Sequence, residues 1–201
     1  MLRSAQPDES ADFAALVKMS DHTFLPFLFS GRLESILRRM FPQPRNLFSY
    51  EHVRVIELEG RVAGMLLGYS FEQMRREMTN TGWLWLRYAG FYLLWRMPRF
   101  ALRLLSQSNR RAPSANWLNE GEFYVSNMAV KPEFRRRGLG HRLLDDAIAR
   151  AKELGCRRIA LDVESDNVEA VRLYERAGLL REESNLQVMG RFEFLRLSRE
   201  L

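Results

Sequence analysis

The sequence predicts an α/β (α+β) domain in which a sheet carries helices, and three observations predict it. Short apolar or alternating runs at 52–58, 62–69, 122–130 and 158–163 have the length and composition of strands. Leu139, Leu143, Leu144, Ala147, Ile148, Ala151 and Leu154 recur at helical spacing between two of those runs. Strand and helix therefore alternate through the C-terminal half, as they do when both layers share one core.

In chain order, residues 2–5 read as a first strand. Asp8 or Ser10 then caps a helix through about Met19. A second helical region over 24–40 is expected to break near Pro26 and Gly31. Residues 52–58 and 62–69 flank Glu59-Gly60 and form a hairpin. The strand at 122–130 precedes the helix at 139–154, which Gly155 stops. A strand at 158–163, a helix at 168–177 stopped by Gly178, and strands at 179–188 and 191–197 complete the chain. About 50 residues separate Tyr69 from Glu122, whereas the other links are short. The expected organisation is one domain, 1–201, with a helical insertion at 72–119 between its third and fourth strands.

With 46% hydrophobic and 28% charged residues, the chain has enough apolar material for a core and is not disordered. The net charge of +6 is local: residues 72–119 hold eight arginines against Glu72 and Glu77, and the remainder is neutral. That argues against a nucleic-acid binder, whose positive charge would spread over a binding face of the fold. A single cysteine, Cys156, excludes an internal disulfide and suits a reducing compartment. Met1-Leu2-Arg3-Ser4 runs into a polar stretch without the apolar core of a secretory leader. No apolar run reaches the ~18 residues of a membrane span. These features predict a cytoplasmic protein.

The chemistry concentrates at "AVKPEFRRRGLGHRLL", residues 129–144, where Arg135, Arg136 and Arg137 stand against Gly138-Leu139-Gly140 and His141 at a helix start. A helix start offers unpaired N–H groups and the positive end of the macrodipole. Glycines let a backbone approach a ligand closely, and arginines add forked donors. Together they describe an anion cradle. It is neither a Walker A loop, since His141-Arg142 follows Gly140, nor a dinucleotide fingerprint, since Leu143 stands where a third glycine is required.

"RRRGLG" resembles the Arg/Gln-x-x-Gly-x-Gly/Ala loop with which GCN5-related N-acetyltransferases hold the pyrophosphate of acetyl-coenzyme A. "NMAV" before the loop resembles that family's fourth strand. "LDVESDNVEAVRLYERAGL" resembles its fifth strand and next helix, and "LRSAQPDESADFAALV" its first strand and helix. The resemblance runs from about Glu122 to Leu180, is weak over 20–50 and does not extend to 72–119. It implies a mixed, mostly antiparallel sheet with helices on both faces, and fourth and fifth strands that splay around the pantetheine arm.

The resemblance also implies roles. Backbone N–H groups of Met128, Ala129 and Val130 polarise the thioester, and residues 135–141 cradle phosphates, with Arg135 matching the motif's first position. Asn167 and Ala170 line the pantetheine, and Tyr174 is the general acid. Asn167, Ala170 and Tyr174 are spaced three then four, which puts them on one helical stripe. For the base, Asp162 interrupts the apolar strand Ile159-Ala160-Leu161-Asp162-Val163, where burial raises a carboxyl toward a useful pKa. The family's ribosomal-protein branch has a glutamate at the matching position, so the shorter aspartate calls for a bridging water. Glu122 is the next candidate, followed by Glu120 and Glu164, and each is also readable as a structural ion pair.

Cys156, in a helix-to-strand turn, reads as a small buried hydrophobe. His22, His52 and His141 have no metal spacing. The expected function is acetyl transfer from acetyl-CoA to a small-molecule or peptide primary amine, with a non-catalytic acyl-CoA sensor as the alternative. The insertion contains "WLWLRYAGFYLLW", from which a helix over 81–95 is expected, with Pro98 ending or restarting it. As roles it offers an extra core layer, a lid over the acceptor, a homodimer contact, or contact with a membrane surface.

Overall fold

The computed structural model of the protein describes residues 1–21, 24–90, 118–188 and 192–201. Strands are β1 (Leu2–Ser4), β2 (Val53–Leu58), β3 (Arg61–Ser70), β4 (Glu122–Val130), β5 (Arg158–Glu164), β6 (Leu180–Val188) and β7 (Phe192–Glu200). Helices are α1 (Ser10–Ser20), α2 (Phe24–Phe29), α3 (Leu33–Met40), α4 (Phe71–Ala89), α5 (Leu139–Glu153) and α6 (Val168–Arg176). The strands form one sheet in the order β1-β2-β3-β4-β5-β7-β6. Among the described residues, only β4 and β5 pair in parallel; every other neighbour is antiparallel. This is the mixed, mostly antiparallel sheet that the family resemblance implies.

Periodicity explains both faces. Leu139, Leu143, Leu144, Ala147 and Ala151 of α5 bury against Phe123 and Val125 of β4 and Ile159, Leu161 and Val163 of β5, together with Val171 of α6. On the other face, Phe13, Leu16 and Val17 of α1 and Leu33, Ile36, Leu37 and Met40 of α3 meet Val53, Val55, Met65 and Leu67. Each large aliphatic side chain so buried contributes about 1.5–3 kcal/mol. The hairpin turn has Glu59 and Gly60 both at positive φ, 53° and 71°, with Leu58 opposite Arg61, the geometry of a tight two-residue connection. The break in the second helical region falls at Ser30–Arg32 rather than at Pro26. Pro26 lies in the first turn of α2, where its missing N–H has no intrahelical partner to lose.

The inserted helix differs from its expected bounds. It starts at Phe71, because Ser70 and Gln73 form a reciprocal capping box with bonds of 3.3 and 2.8 Å. It ends at Ala89, before Gly90 at φ 58°. Leu84, Trp85 and Tyr88 pack on the second core, and Trp85 stacks on Phe29 at 4.2 Å. This half of the insertion is therefore an extra helical layer, although Trp83 is 66% exposed. Residues 91–117, including the rest of "WLWLRYAGFYLLW" and Pro98, lie outside the described residues, as does His22. No helix among the described residues is long and apolar enough to cross a membrane.

Candidate active site

β4 and β5 pair only from Glu122 opposite Arg158 to Val125 opposite Leu161. Beyond that point β4 follows β3 and β5 follows β7, so a gap opens between them. Its origin is a register shift in β3–β4. Leu67 faces Asn127 but Gly68 faces Val125, which leaves Ser126 as the extra residue of a bulge. A bulge bends its strand and increases the local twist, here where β4 leaves β5.

The register also decides which β4 amides reach the gap. Lys131 donates its N–H to the Ala63 carbonyl at 2.8 Å, so residue 131 faces β3. Alternation then directs Ala129, opposite Met65, to β3 as well, while Met128 and Val130 face the open edge. The Val130 carbonyl, which accepts from Arg135 Nε at 3.1 Å, has the same outward orientation. Of the three amides expected to meet a thioester, two are placed at the gap and Ala129 is committed to the sheet.

The next segment curls around the start of α5. Phe134 is buried, and Arg61 and Arg137 lie over its ring at 5.0 and 5.8 Å. Arg135, Arg136 and Arg137 are exposed, and Arg137 approaches Glu59 at 3.5 Å. Arg136 at φ 60° and Gly138 at φ 73° both take the left-handed conformation. Gly138 is the N-cap of α5 without a side-chain cap, and the first helical bond, Arg142 N–H to Gly138, spans 3.2 Å. The N–H groups of Leu139, Gly140 and His141 thus have no partner within the helix. The Leu139 side chain belongs to the core, so only its backbone is left to meet a ligand. Gly140 also meets α6: a Cβ there would lie 2.7 Å from Leu173 Cδ1, the end of a half-buried side chain that would have to turn aside.

Asn167 is the N-cap of α6, its Oδ1 accepting from the Ala170 N–H at 3.2 Å. This holds the helix that carries Tyr174. Tyr174 is 7% exposed, and burial pushes its phenol up to about 12. Its hydroxyl has no hydrogen-bond partner among the described residues, and at neutral pH it carries its proton.

Because Leu161 and Val163 face the α5–α6 core, Asp162 points to the opposite face. Its side chain is 9% exposed. Oδ2 accepts from the Tyr124 hydroxyl at 2.9 Å and from Arg196 Nη1 at 3.4 Å. Burial raises this carboxyl above the usual aspartate value, and Arg196 and Tyr124 oppose the rise. Glu122 is more fully engaged. It accepts from Arg196 Nη2 and the Asn119 N–H, both at 2.9 Å, and from Asn119 Nδ2 at 3.1 Å and Arg158 Nη1 at 3.4 Å. These partners fit its structural ion-pair reading and leave a base little room to act. Glu120 is an exposed turn residue, and Glu164 ends β5. The Cys156 thiol is buried and pushed up by burial, which suits a packing residue and not a nucleophile. No group of His, Cys, Asp or Glu among the described residues could hold a metal ion.

Sequence reasoning missed Tyr124 and Arg196. Arg196 stands in the apolar alternation of "FEFLRLSRE", which is a signal, but its partner depends on the β5–β7 register, Asp162 opposite Arg196.

Comparison with known proteins agrees with this geometry. The family model described as acetyltransferase (GNAT) family matches residues 20–179. The mycothiol acetyltransferase of Geodermatophilus obscurus is 38% identical over 99 residues, 48% of this chain and 30% of that protein. The putative [ribosomal protein bS18]-alanine N-acetyltransferase of Bacillus subtilis is 35% identical over 63 residues, 31% of this chain and 42% of that one. The chain thus matches less than half the length of either relative. The crystal structure of an N-acetyltransferase from Staphylococcus aureus Mu50 superposes with a TM-score of 0.69 at 20% identity, covering 99% of this chain and 100% of that one, and shares the fold. With a seven-stranded mixed sheet, a bulged β4 and a family match over most of its length, the chain belongs to the acetyltransferase (GNAT) family.

Proposed function

We propose that this protein transfers the acetyl group of acetyl-CoA to a primary amine by direct attack. The observation that carries this reading is the β4–β5 gap: Met128 and Val130 of β4 turn their N–H groups to it, and Asp162 stands one residue beyond the last β4–β5 pair, Val125 opposite Leu161. The cradle fits a pyrophosphate. Three N–H groups at the start of α5 have no partner within the helix, three exposed arginines precede them, and nothing lies within 4 Å of where a Gly138 side chain would begin. Acetyl-CoA, when bound, supplies the activated carbonyl. Residues 135–141 hold its phosphates, and Asn167 and Ala170 lie at the start of the helix that borders its arm.

At the gap, the N–H groups of Met128 and Val130 stabilise negative charge on the carbonyl oxygen as the amine nitrogen bonds to carbon. Asp162 takes the proton that the nitrogen loses, through a bridging water. As the C–S bond breaks, the Tyr174 phenol gives its proton to the departing sulfur. An α-amine, with a pKa of about 7.7–8.0, asks much less of a carboxylate base than a lysine at about 10.4. Together with the bS18-alanine relative, this favours a protein N-terminus as acceptor. Turnover of acetyl-CoA with peptides, lysine and polyamines tests the reading. Acetylation of peptide N-termini is expected, and tight CoA binding with no acetylated amine would instead make the protein an acyl-CoA sensor.

A further inference from the structure

Asp162 is gripped by one oxygen. Both of its bonds, from Tyr124 and Arg196, fall on Oδ2, and Oδ1 has no partner among the described residues. The two donors sit among neighbours. The Tyr124 ring lies 6.1 Å from that of Tyr69, which is 4% exposed. Burial holds both phenols protonated, so Tyr124 remains a donor. Arg196 is anchored on Glu122 at 2.9 Å, and Glu122 in turn meets Arg158 at 3.4 Å.

The distances divide Arg196 unequally: 2.9 Å to Glu122 against 3.4 Å to Asp162. Glu122 is the better paired carboxylate, and Asp162 receives the weaker share. A full ion pair would hold Asp162 low and poor at taking a proton. With no pair at all, a carboxyl so buried would stay protonated. The groups facing it are Tyr69 on β3, Tyr124 and Glu122 on β4, Arg158 on β5, Glu182 on β6 and Arg196 on β7. From the α4 side Phe71 and Met74 contribute apolar surface next to Tyr124.

We propose that Tyr124 and Arg196 are positioning residues for Asp162, fixing Oδ2 so that Oδ1 takes the acceptor's proton, and that Glu122 sets how strongly Arg196 can act. This rests on the assignment of Asp162 as base. It gives Glu122, a rival base by sequence, the role of counter-charge to Arg196. It also makes substitutions on either side of Arg196 act with opposite sign. Removing Arg196 or the Tyr124 hydroxyl takes away something that favours the carboxylate. Neutralising Glu122 releases Arg196 toward Asp162.

The test is a carboxyl-carbon NMR titration of the full chain labelled with 13C-aspartate, with Asp162 assigned by its loss in Asp162→Asn. Wild-type Asp162 is expected to titrate above an ordinary aspartate. In Arg196→Gln it should move up by about one pH unit or more. Tyr124→Phe should move it up less, and Glu122→Gln should move it down. The acid limb of kcat/KM, measured with acetyl-CoA and an N-terminal-amine peptide, should follow the same order. Arg196→Lys, which keeps the charge, should return the titration toward wild type and guards against loss of fold. Unmoved titrations in folded Arg196→Gln and Tyr124→Phe, with Asp162→Asn inactive, overturn the positioning role alone. Wild-type kcat/KM in Asp162→Asn overturns the base assignment and this proposal with it.

Discussion

Gly140 in the first turn of α5 lies against Leu173 in α6, so closely that a single added carbon would sit 2.7 Å from Leu173 Cδ1. The contact ties the start of α5 to the helix that carries Tyr174, one residue beyond Leu173. Gly140→Ala should therefore turn the Leu173 methyl aside at a cost of about 0.5–1.5 kcal/mol. It should leave kcat and CoA affinity close to wild type, because a side-chain rotation does not move the α6 backbone that carries Tyr174. Thermal melts with steady-state kinetics check this, and an unchanged melting temperature would show that Leu173 yields freely.

Gly138 fails for a different reason when replaced. Its surroundings are open, but φ is 73°, a conformation that costs a residue with a side chain about 1–2 kcal/mol. Gly138→Val should lose CoA binding in calorimetry while circular dichroism shows the fold intact. Wild-type affinity in this variant would remove the loop from the cofactor site.

Tyr174→Phe should lower kcat by about 10²-fold and leave CoA affinity nearly intact. The phenol, pushed up to about 12 by burial, keeps its proton through the working range. Any alkaline limb of kcat below pH ~10 therefore belongs to another group and should persist in Tyr174→Phe. A limb that disappears with the hydroxyl would mean that Tyr174 loses its proton in that range, against the direction in which burial pushes it.

Burial gives Asp162 a second signature. A carboxyl raised in the folded state contributes stability below its unfolded value, and that contribution is lost as pH rises through the folded value. Asp162→Asn should match wild type in melting temperature near pH 4 and exceed it near pH 7, while activity falls. A neutral-pH melting temperature below that of wild type would mean that the Tyr124 and Arg196 bonds outweigh desolvation.

What could be read in the sequence was local. The Glu59-Gly60 turn, the apolar stripe of α5 and the stop at Gly155 each follow from neighbouring residues, and the sheet's two buried faces follow from them. The loop at 135–141 was legible as a motif because its glycine and arginines are contiguous. The capping box at Ser70 was also local, but the apolar run after residue 81 drew the expected helix start ten residues too late. The rest needed register. The bulge at Ser126 exists only relative to β3, and it sends the Ala129 amide away from the gap. The bond from Tyr124 to Asp162 joins residues 38 apart, and the ion pair from Arg196 to Glu122 joins residues 74 apart. No spacing rule connects such residues.

The central claim is that the β4–β5 gap moves an acetyl group onto an amine. Mass spectrometry of a peptide panel incubated with acetyl-CoA and the full chain measures it most directly. The account predicts peptides heavier by one acetyl group at the N-terminal nitrogen, an equal release of CoA thiol, and near-complete loss of both in Tyr174→Phe. Saturable CoA binding with no acetylated peptide, lysine or polyamine at any pH tested would contradict it.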